Sequence, residues 1–337
     1  MAASLRPNQP NLQPFHFFDT TADPPRWRPS TPEHIRQQPA SAANIDRIHL
    51  VSWNIDFSTP ASSERMTTAL QYLRDLQSEH DQKNGPPTVI FFQEMVASDL
   101  HLIQQAPWVR EKFYVTDLSG SRWRGSYGTS TLVDRRLALQ RAFRVPYALS
   151  TMQRDGLFVD IKVHNSIIRL CNTHLESLAS GTTRRPVQMK LASEFMHGTN
   201  DTSGDDVPLP APHAAILAGD LNAFAPEDAD SPRACNLQDA FLALGGREGT
   251  ADGFTWGYQN PSWMADKFPC GRLDKVLFCG AIEVLLLTKI GEGLKARIDV
   301  SMSDDEGDSD SDRFEELWVT DHFGLMADFR ILSSSPN

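Results

Sequence analysis

The chemistry of this chain starts at Ile216-Leu217-Ala218-Gly219-Asp220-Leu221-Asn222. An apolar run stops on Gly-Asp-x-Asn, so a carboxylate and a carboxamide stand two residues apart. In an extended chain, residues i and i+2 point to one side. A carboxylate takes a proton from water or holds a cation, and an amide beside it orients what the carboxylate activates. Gly-Asp is also an ordinary turn pair, so the reading depends on other segments. Five more place polar residues where apolar runs end or begin: Asn54 with Asp56, Glu94, His174 with Glu176, Asp274, and Asp321 with His322. Each alone is an ordinary turn or surface residue. As a set they are rich in oxygen donors, without cysteine ligands or a glycine-rich phosphate loop. That donor set suits Mg²⁺ or Mn²⁺ rather than Zn²⁺, and the chemistry it supports is hydrolysis of a phosphate ester.

Most of these residues must be carried by strands. Ile48–Asp56 reads as a first strand, and 88–94 is apolar until Gln93-Glu94, as suits a strand buried on both faces. Further strands are predicted over 128–133, 156–163, 166–174, 216–221, 271–278, 282–290 and 323–331. Residues 62–80 form an amphipathic helix with Met66, Leu70, Leu73 and Leu76 on one face. Other helices are expected at 97–105, 184–198 and near 231–244, the last with Leu237, Phe241 and Leu244 inward. The loop 121–129 mixes Arg122, Trp123, Arg124 and Tyr127 with two glycines, and reads as a surface that stacks bases and pairs phosphates.

Residues 1–44 hold eight prolines at spacings that leave no helix or strand period, which predicts a disordered or loosely docked arm. Residues 45–333 read as one α/β domain, interrupted by an acidic loop insertion at about 301–316. The net charge of −11 speaks at first against nucleic acid. However, residues 303–316 hold eight acids and one arginine, a net of −7, so only −4 of the −11 remains elsewhere. A local basic face is compatible with that balance. Four cysteines, Cys171, Cys235, Cys270 and Cys279, show no zinc spacing and read as reduced thiols. No apolar run approaches the ~20 residues of a membrane span, and the first residues lack a signal-peptide layout. The expectation is a protein of the nucleus or cytoplasm, not secreted and not in a membrane.

The ordered series Trp53-Asn54-Ile55-Asp56, Gln93-Glu94, Thr173-His174-Leu175-Glu176-Ser177, Gly219-Asp220-Leu221-Asn222, Arg272-Leu273-Asp274 and Thr320-Asp321-His322-Phe323-Gly324 resembles the endonuclease/exonuclease/phosphatase superfamily. The likeness covers roughly residues 46–331. Within it, Trp-Asn-Ile-Asp, His-Leu-Glu-Ser, Phe-Thr-Trp and Asp-His-Phe-Gly-Leu are similar to the tyrosyl-DNA phosphodiesterase branch. The resemblance implies a four-layer α/β/β/α sandwich (α+β in composition), two packed mixed sheets with helices outside. It also implies a Mg²⁺-dependent phosphodiesterase, with Mn²⁺ as the alternative ion. Glu94 would bind the ion, with Asn54, Asp56 and Asp321 around it. Asp220 would orient and deprotonate water and Asn222 would position it. His322 would donate to a phosphate oxygen with Asp274 holding its ring, and His174 would be a second donor. Phe224, where the branch typically has arginine, and Trp256 of the Phe-Thr-Trp motif would contact substrate beside Arg122, Trp123, Arg124 and Tyr127.

By this resemblance the substrate is a single-stranded DNA 5′ end carrying a tyrosyl or peptide adduct, as left by a trapped topoisomerase, and the enzyme is a monomer in DNA repair. The alternatives keep the chemistry and change the substrate: a deadenylase-like enzyme, a DNA endonuclease or exonuclease, or a lipid head-group phosphodiesterase. Met95 after Gln93-Glu94 is unlike abasic endonucleases, which usually carry a Thr-Lys pair there. Pro269-Cys270-Gly271-Arg272-Leu273-Asp274 lacks the signature of inositol polyphosphate 5-phosphatases. A non-catalytic scaffold is the alternative of a different class, and it would require a broken site where every position of the series is intact.

Overall fold

The computed structural model describes residues 5–37, 45–198, 209–260, 267–299 and 314–333. The described strands, in chain order, are β1 (Asn11–Gln13), β2 (His16–Asp19), β3 (Arg26–Pro29), β4 (Arg47–Asn54), β5 (Thr88–Met95), β6 (Phe113–Val115), β7 (Gly128–Asp134), β8 (Ala138–Pro146), β9 (Asp155–Val163), β10 (Ser166–Thr173), β11 (Ala214–Asp220), β12 (Gln238–Asp239), β13 (Asp274–Gly280), β14 (Ile282–Ile290), β15 (Lys295–Asp299), β16 (Phe314–Trp318) and β17 (Gly324–Ile331). The helices are α1 (Pro32–Gln37), α2 (Ser62–Gln82), α3 (Ala97–Gln105), α4 (Pro107–Lys112), α5 (Arg185–His197), α6 (Pro226–Ala229), α7 (Ser231–Ala234) and α8 (Ala240–Ala243).

Two mixed sheets result. One has the order β1-β8-β9-β10-β11-β13-β12, the other β14-β17-β4-β5-β7-β6-β2-β3, and β15-β16 is a separate hairpin. Their directions explain the site. β10 and β11 are parallel while β13 runs against β11, so the ends of β10 and β11 and the start of β13 share one edge, with Asp220 opposite Asp274. β4 and β5 are parallel while β17 runs against β4, which brings Asn54, Glu94 and the residues just before Gly324 to one edge of the second sheet.

Alternation along the strands builds the layers. Leu50, Phe91, Ile168, Leu170, Ile216, Ala218, Val276 and Phe278 meet between the sheets. The other faces of β4 and β5, through Val51, Trp53, Ile90 and Phe92, take Met66, Leu70 and Leu73 of α2. Phe143, Phe158, Cys171, Leu217 and Leu277 take Met189, Ala192, Phe195 and Met196 of α5. The chain is therefore the expected four-layer sandwich.

Several expectations need correcting. The described part of the proline-rich arm is ordered: β1 extends one sheet along β8, and β2-β3 extends the other along β6. Phe15, only 1% exposed, fills the core between them. Composition misjudged this segment because its short strands need only a few paired residues each, at edges where proline is tolerated. Residues 1–4 and 38–44 lie outside the described residues. The helix expected at 231–244 is split into α7, β12 and α8. Asn236 adopts a positive φ of 56° and Asp239 caps a new helix by accepting from the Phe241 and Leu242 amides, which leaves Leu244 exposed. Of the acidic insertion, 301–313 lies outside the described residues, and Phe314–Trp318 is strand. β8 had no sequence signal because Arg141 and Arg144 break its apolar pattern. Arg144 is fully buried against Asp117 and Asp155. No helix among the described residues is long and apolar enough to cross a membrane.

Candidate active site

Two acid–histidine groups converge where the sheet edges meet. Glu94, His174 and Asp220 bring ligand atoms within 4.8 Å of one another, and so do Asp220, Asp274 and His322. Asp220 belongs to both. Its Oδ2 accepts from Asn54 Nδ2 at 3.0 Å and lies 3.3 Å from His174 Nε2 and 3.7 Å from His322 Nε2. Its Oδ1 accepts from the Asn222 amide at 2.8 Å. Burial alone would raise its pKa, but His322 and His174 outweigh that and hold this carboxylate well below the usual range. Asp220 is thus anionic at neutral pH. Asn222 takes a positive φ of 48° to turn back, and its Nδ2 donates to the Leu175 carbonyl at 3.2 Å.

The two histidines differ in charge. Arg154 Nη1 lies 2.8 Å from His174 Nδ1. Guanidinium only donates, so Nδ1 accepts and the ring proton sits on Nε2, facing Asp220 and, at 3.7 Å, Glu94 Oε1. Burial, with the Arg154 charge second, lowers His174 to about 4, so it is a neutral donor. His322 Nδ1 meets Asp274 Oδ2 at 2.7 Å. Burial opposes its charge, but Asp274, Asp321 and Asp220 outweigh burial and hold His322 well above the ordinary histidine value. Asp274 itself is raised to about 6, chiefly by burial.

Glu94 has φ of 58°, sits at an irregularity of β5, and accepts from the Phe57 amide at 3.1 Å through Oε2. Burial and then the Asp321 charge push its pKa up to about 7. Asp321, likewise raised by burial, accepts from Trp256 Nε1 at 2.8 Å. Two acids raised in this way beside an anionic Asp220 mark a surplus of negative charge, which is what a divalent cation neutralises. His174 keeps its Nε2 proton and has its Nδ1 bonded by Arg154, so the ligands on offer are oxygens, a set that fits Mg²⁺ or Mn²⁺. The tight group around Glu94 holds His174 and Asp220, and Asp56 lies outside it. Asp56 Oδ1 is spent on its own turn, accepting from the Ser58 amide and hydroxyl at 2.9 and 2.6 Å. Asn54 is fully buried against Asp220, and Asp321 Oδ1 lies 3.8 Å from His322 Nε2. Glu176 also turns away, binding Ser150, Thr151 and Gln188.

The expected substrate loop divides. Trp123 is 8% exposed, packs on Gly120 and Gly128 and donates to the Thr129 carbonyl at 3.0 Å, so it is core and no platform for bases. Arg124 is exposed and Arg122 half-exposed. Tyr127 lies parallel to Phe57, with centroids 3.9 Å apart, and Arg154 stands 5.3 Å from its ring. Phe224 is exposed beneath the Arg185 guanidinium. Trp256 is half-buried and bridges Gly271 and His322 through its backbone. Sequence reasoning missed Arg154 and Phe57. Arg154 precedes β9, whose start pairs with the end of β10 at Thr173, a position legible only once the strand order is known. Phe57 follows Asp56 directly and its type was the available signal.

Residues 51–322 match the profile of the Endonuclease/Exonuclease/phosphatase family. Among solved structures, TDP2 from Caenorhabditis elegans has a TM-score of 0.58 at 20% identity, covering 84% of this chain and 75% of that one. D. rerio TDP2 complexed with a single-strand DNA product scores 0.56 at 17% identity over 84% and 99%. Sphingomyelinase C from Streptomyces griseocarneus scores 0.58 at 16% identity over 84% and 99%. At these identities the likeness is one of fold. No curated protein matches the chain.

Proposed function

The chain belongs to the endonuclease/exonuclease/phosphatase family and is a hydrolase of phosphate esters; from this premise we propose that it is a Mg²⁺-dependent phosphodiesterase that cleaves the bond between a 5′ phosphate and a tyrosine phenol at a DNA end. The observation that carries the reading is the pairing of one anionic carboxylate, Asp220, with two histidine donors on Nε2, neutral at His174 and cationic at His322.

Glu94, with Asp321 and Asn54 beside it, would hold the ion, which supplies positive charge to the phosphate. Asp220 accepts a hydrogen bond from water and aims its oxygen at phosphorus. Asn222 fixes Asp220 through its amide. With a pKa so low, Asp220 orients the water and takes its proton only as the new P–O bond forms. His174 and His322 donate to the non-bridging oxygens, where charge builds. The P–O bond to the phenol breaks with its electron pair, leaving a phenolate, and the DNA end keeps a phosphate monoester. A phenol of pKa near 10 leaves without a strong acid beside it. The Trp-Asn-Ile-Asp and His-Leu-Glu-Ser segments, together with the fold shared with a TDP2 that holds a single-strand DNA product, support a DNA end as substrate. Such a substrate implies a nuclear or cytoplasmic enzyme.

Cleavage of a 5′-phosphotyrosyl single-stranded oligonucleotide tests this, with Mg²⁺, with EDTA, and with Asp220→Asn. Tyrosine release that needs the ion and is lost in the variant is expected. Cleavage of bis-p-nitrophenyl phosphate, poly(A), abasic DNA or sphingomyelin without tyrosine release would overturn the substrate.

A further inference from the structure

Six arginine side chains of the described residues are buried. Four face carboxylates: Arg144 with Asp117 and Asp155, Arg169 with Asp160, Arg185 with Asp228, and Arg272 with Asp239. Arg154 faces His174. Arg65, 1% exposed on α2, does something else. Its Nε donates to Pro60 O at 2.9 Å, Nη1 to Ile55 O at 2.9 Å and Val319 O at 2.7 Å, and Nη2 to Asp56 O at 2.6 Å and Thr59 O at 2.7 Å. All five donors end on backbone carbonyls, and those carbonyls belong to two turns. One, after β4, carries Asp56 and Phe57. The other, before β17, carries Asp321 and His322.

A buried cation without a bonded carboxylate is costly unless its surroundings compensate it. Here the nearest acids are Asp56, Asp99, Asp321 and Glu94, which favour the guanidinium from a distance. Beside the Arg65 bonds, the end of β4 meets the second turn at two points: Thr320 Oγ1 donates to Asn54 O at 2.8 Å, and Trp53 Nε1 to His322 O at 3.2 Å. The first turn also holds Glu94, through the Phe57 amide. Around Arg65 the inner face of α2 is apolar, with Met66, Ala69, Leu70 and Leu73, and its other buried polar residue, Gln77, lies about three turns further along.

We propose that Arg65 is a positioning residue of the active site, tying the turn that holds Glu94 to the turn that carries Asp321 and His322 and so fixing the spacing between them. What the spacing serves rests on the function proposed above; the tie itself does not. A planar fork reaches five carbonyls at once, whereas a lysine ammonium has three donors on one atom.

The test compares Arg65→Lys, Arg65→Met and, as a buried arginine remote from the site, Arg169→Lys. Hydrogen–deuterium exchange reads the amides of 55–60 and 319–323, calorimetry reads Mn²⁺ binding, and steady-state hydrolysis of bis-p-nitrophenyl phosphate separates kcat from KM. In Arg65→Lys, exchange in both turns should quicken together while the sheet amides hold. Mn²⁺ affinity should fall about tenfold, as for other residues that support metal ligands, and kcat should fall more than KM rises. Arg169→Lys should lower Tm without either effect, and Arg65→Met should act as Arg65→Lys but more strongly. Quickened exchange in one turn only, or spread evenly over the sheets, would overturn the tie. Unchanged Mn²⁺ affinity and kcat with both turns loosened would overturn the positioning role. Absence of Mn²⁺ binding and hydrolysis in the unaltered protein would defeat the proposed function, and exchange would still judge the tie.

Discussion

Replacing Arg154 with methionine removes the donor to His174, along with the cation beside the Tyr127 ring, and should cost the enzyme a proton in the right place. Arg154 Nη1 occupies the lone pair of His174 Nδ1 at 2.8 Å, so the imidazole carries its proton on Nε2, 3.3 Å from Asp220 Oδ2. His174 is 3% exposed, so no water readily replaces the lost donor. Without Arg154, the tautomer protonated on Nδ1 competes and the donor at Nε2 is lost in that fraction. A hydrogen bond to a charged group is worth about 1.5–3 kcal/mol. If that energy is what selects the tautomer, kcat/KM should fall roughly tenfold to a hundredfold. Methionine fills similar volume, so stability should change by less than the rate does. Hydrolysis of bis-p-nitrophenyl phosphate under saturating Mg²⁺ gives the rate. The ¹⁵N shifts of His174 report the tautomer directly, with Nε2–H expected in the unaltered protein and a mixture in the variant. A loss below threefold, or a variant that keeps the Nε2–H tautomer yet loses activity, would refute the reasoning.

Other outcomes follow from the same structure. Trp123→Ala should lower stability by about 3–5 kcal/mol in urea unfolding. Phe57→Ala, at a ring 40% exposed, should leave the urea midpoint nearly unchanged but raise KM for an oligonucleotide about tenfold through lost stacking. Asp99 is raised to about 6 by burial, and its Oδ1 has no partner. The folded state therefore holds a proton between pH 4 and 6 that the unfolded chain has released, and stability falls as pH rises through that window, by at most about 3 kcal/mol. Asp99→Asn, which keeps an acceptor for the Val96 amide, should raise Tm at pH 7.5 and hardly at pH 4.5; equal gains at both would count against the assignment. Phe15→Ala should destabilise by about 3–5 kcal/mol, where a loosely docked arm would give almost none.

The strands that carry chemistry were the most legible part of the chain. β4, β5, β10 and β11 are near-continuous apolar runs because both faces are covered, and the polar residues that end them stand out for the same reason. Physical position was not legible where it depends on partners distant in sequence. Trp123 and Tyr127 lie in one loop with similar surroundings in the sequence, yet one ring is core and the other stacks at the mouth of the site. Asp56 and Glu176 have the types and spacing of ligands, but short-range bonds claim them: Ser58 and Thr59 for the first, Ser150 and Thr151 for the second. Arg154 and Arg65 gave no signal, since an isolated arginine reads as surface until its burial is known. The arm was misjudged because proline counts bear on long elements, and its strands are only three or four residues long.

The ordered arm bears on how the molecule is made. β1 leaves the ribosome 133 residues before its partner, since Asn11 pairs with Arg144. At about 5–20 residues per second, the arm waits several seconds or more with Phe15 uncovered. Both strands that the arm pairs with, β6 and β8, exist once Pro146 has been made. Until the arm docks, the edges of β6 and β8 stand open to pairing with other chains. The closing strand β17 meets the start of the domain as well, with the Ile331 amide on the Asp46 carbonyl at 2.7 Å. Asp46 and Ile331 thus become neighbours only after the whole span between them has been made. A rigid protein fused directly ahead of the arm would hinder its pairing with β6 and β8, so yield should depend on linker length more than on the stability of the finished fold.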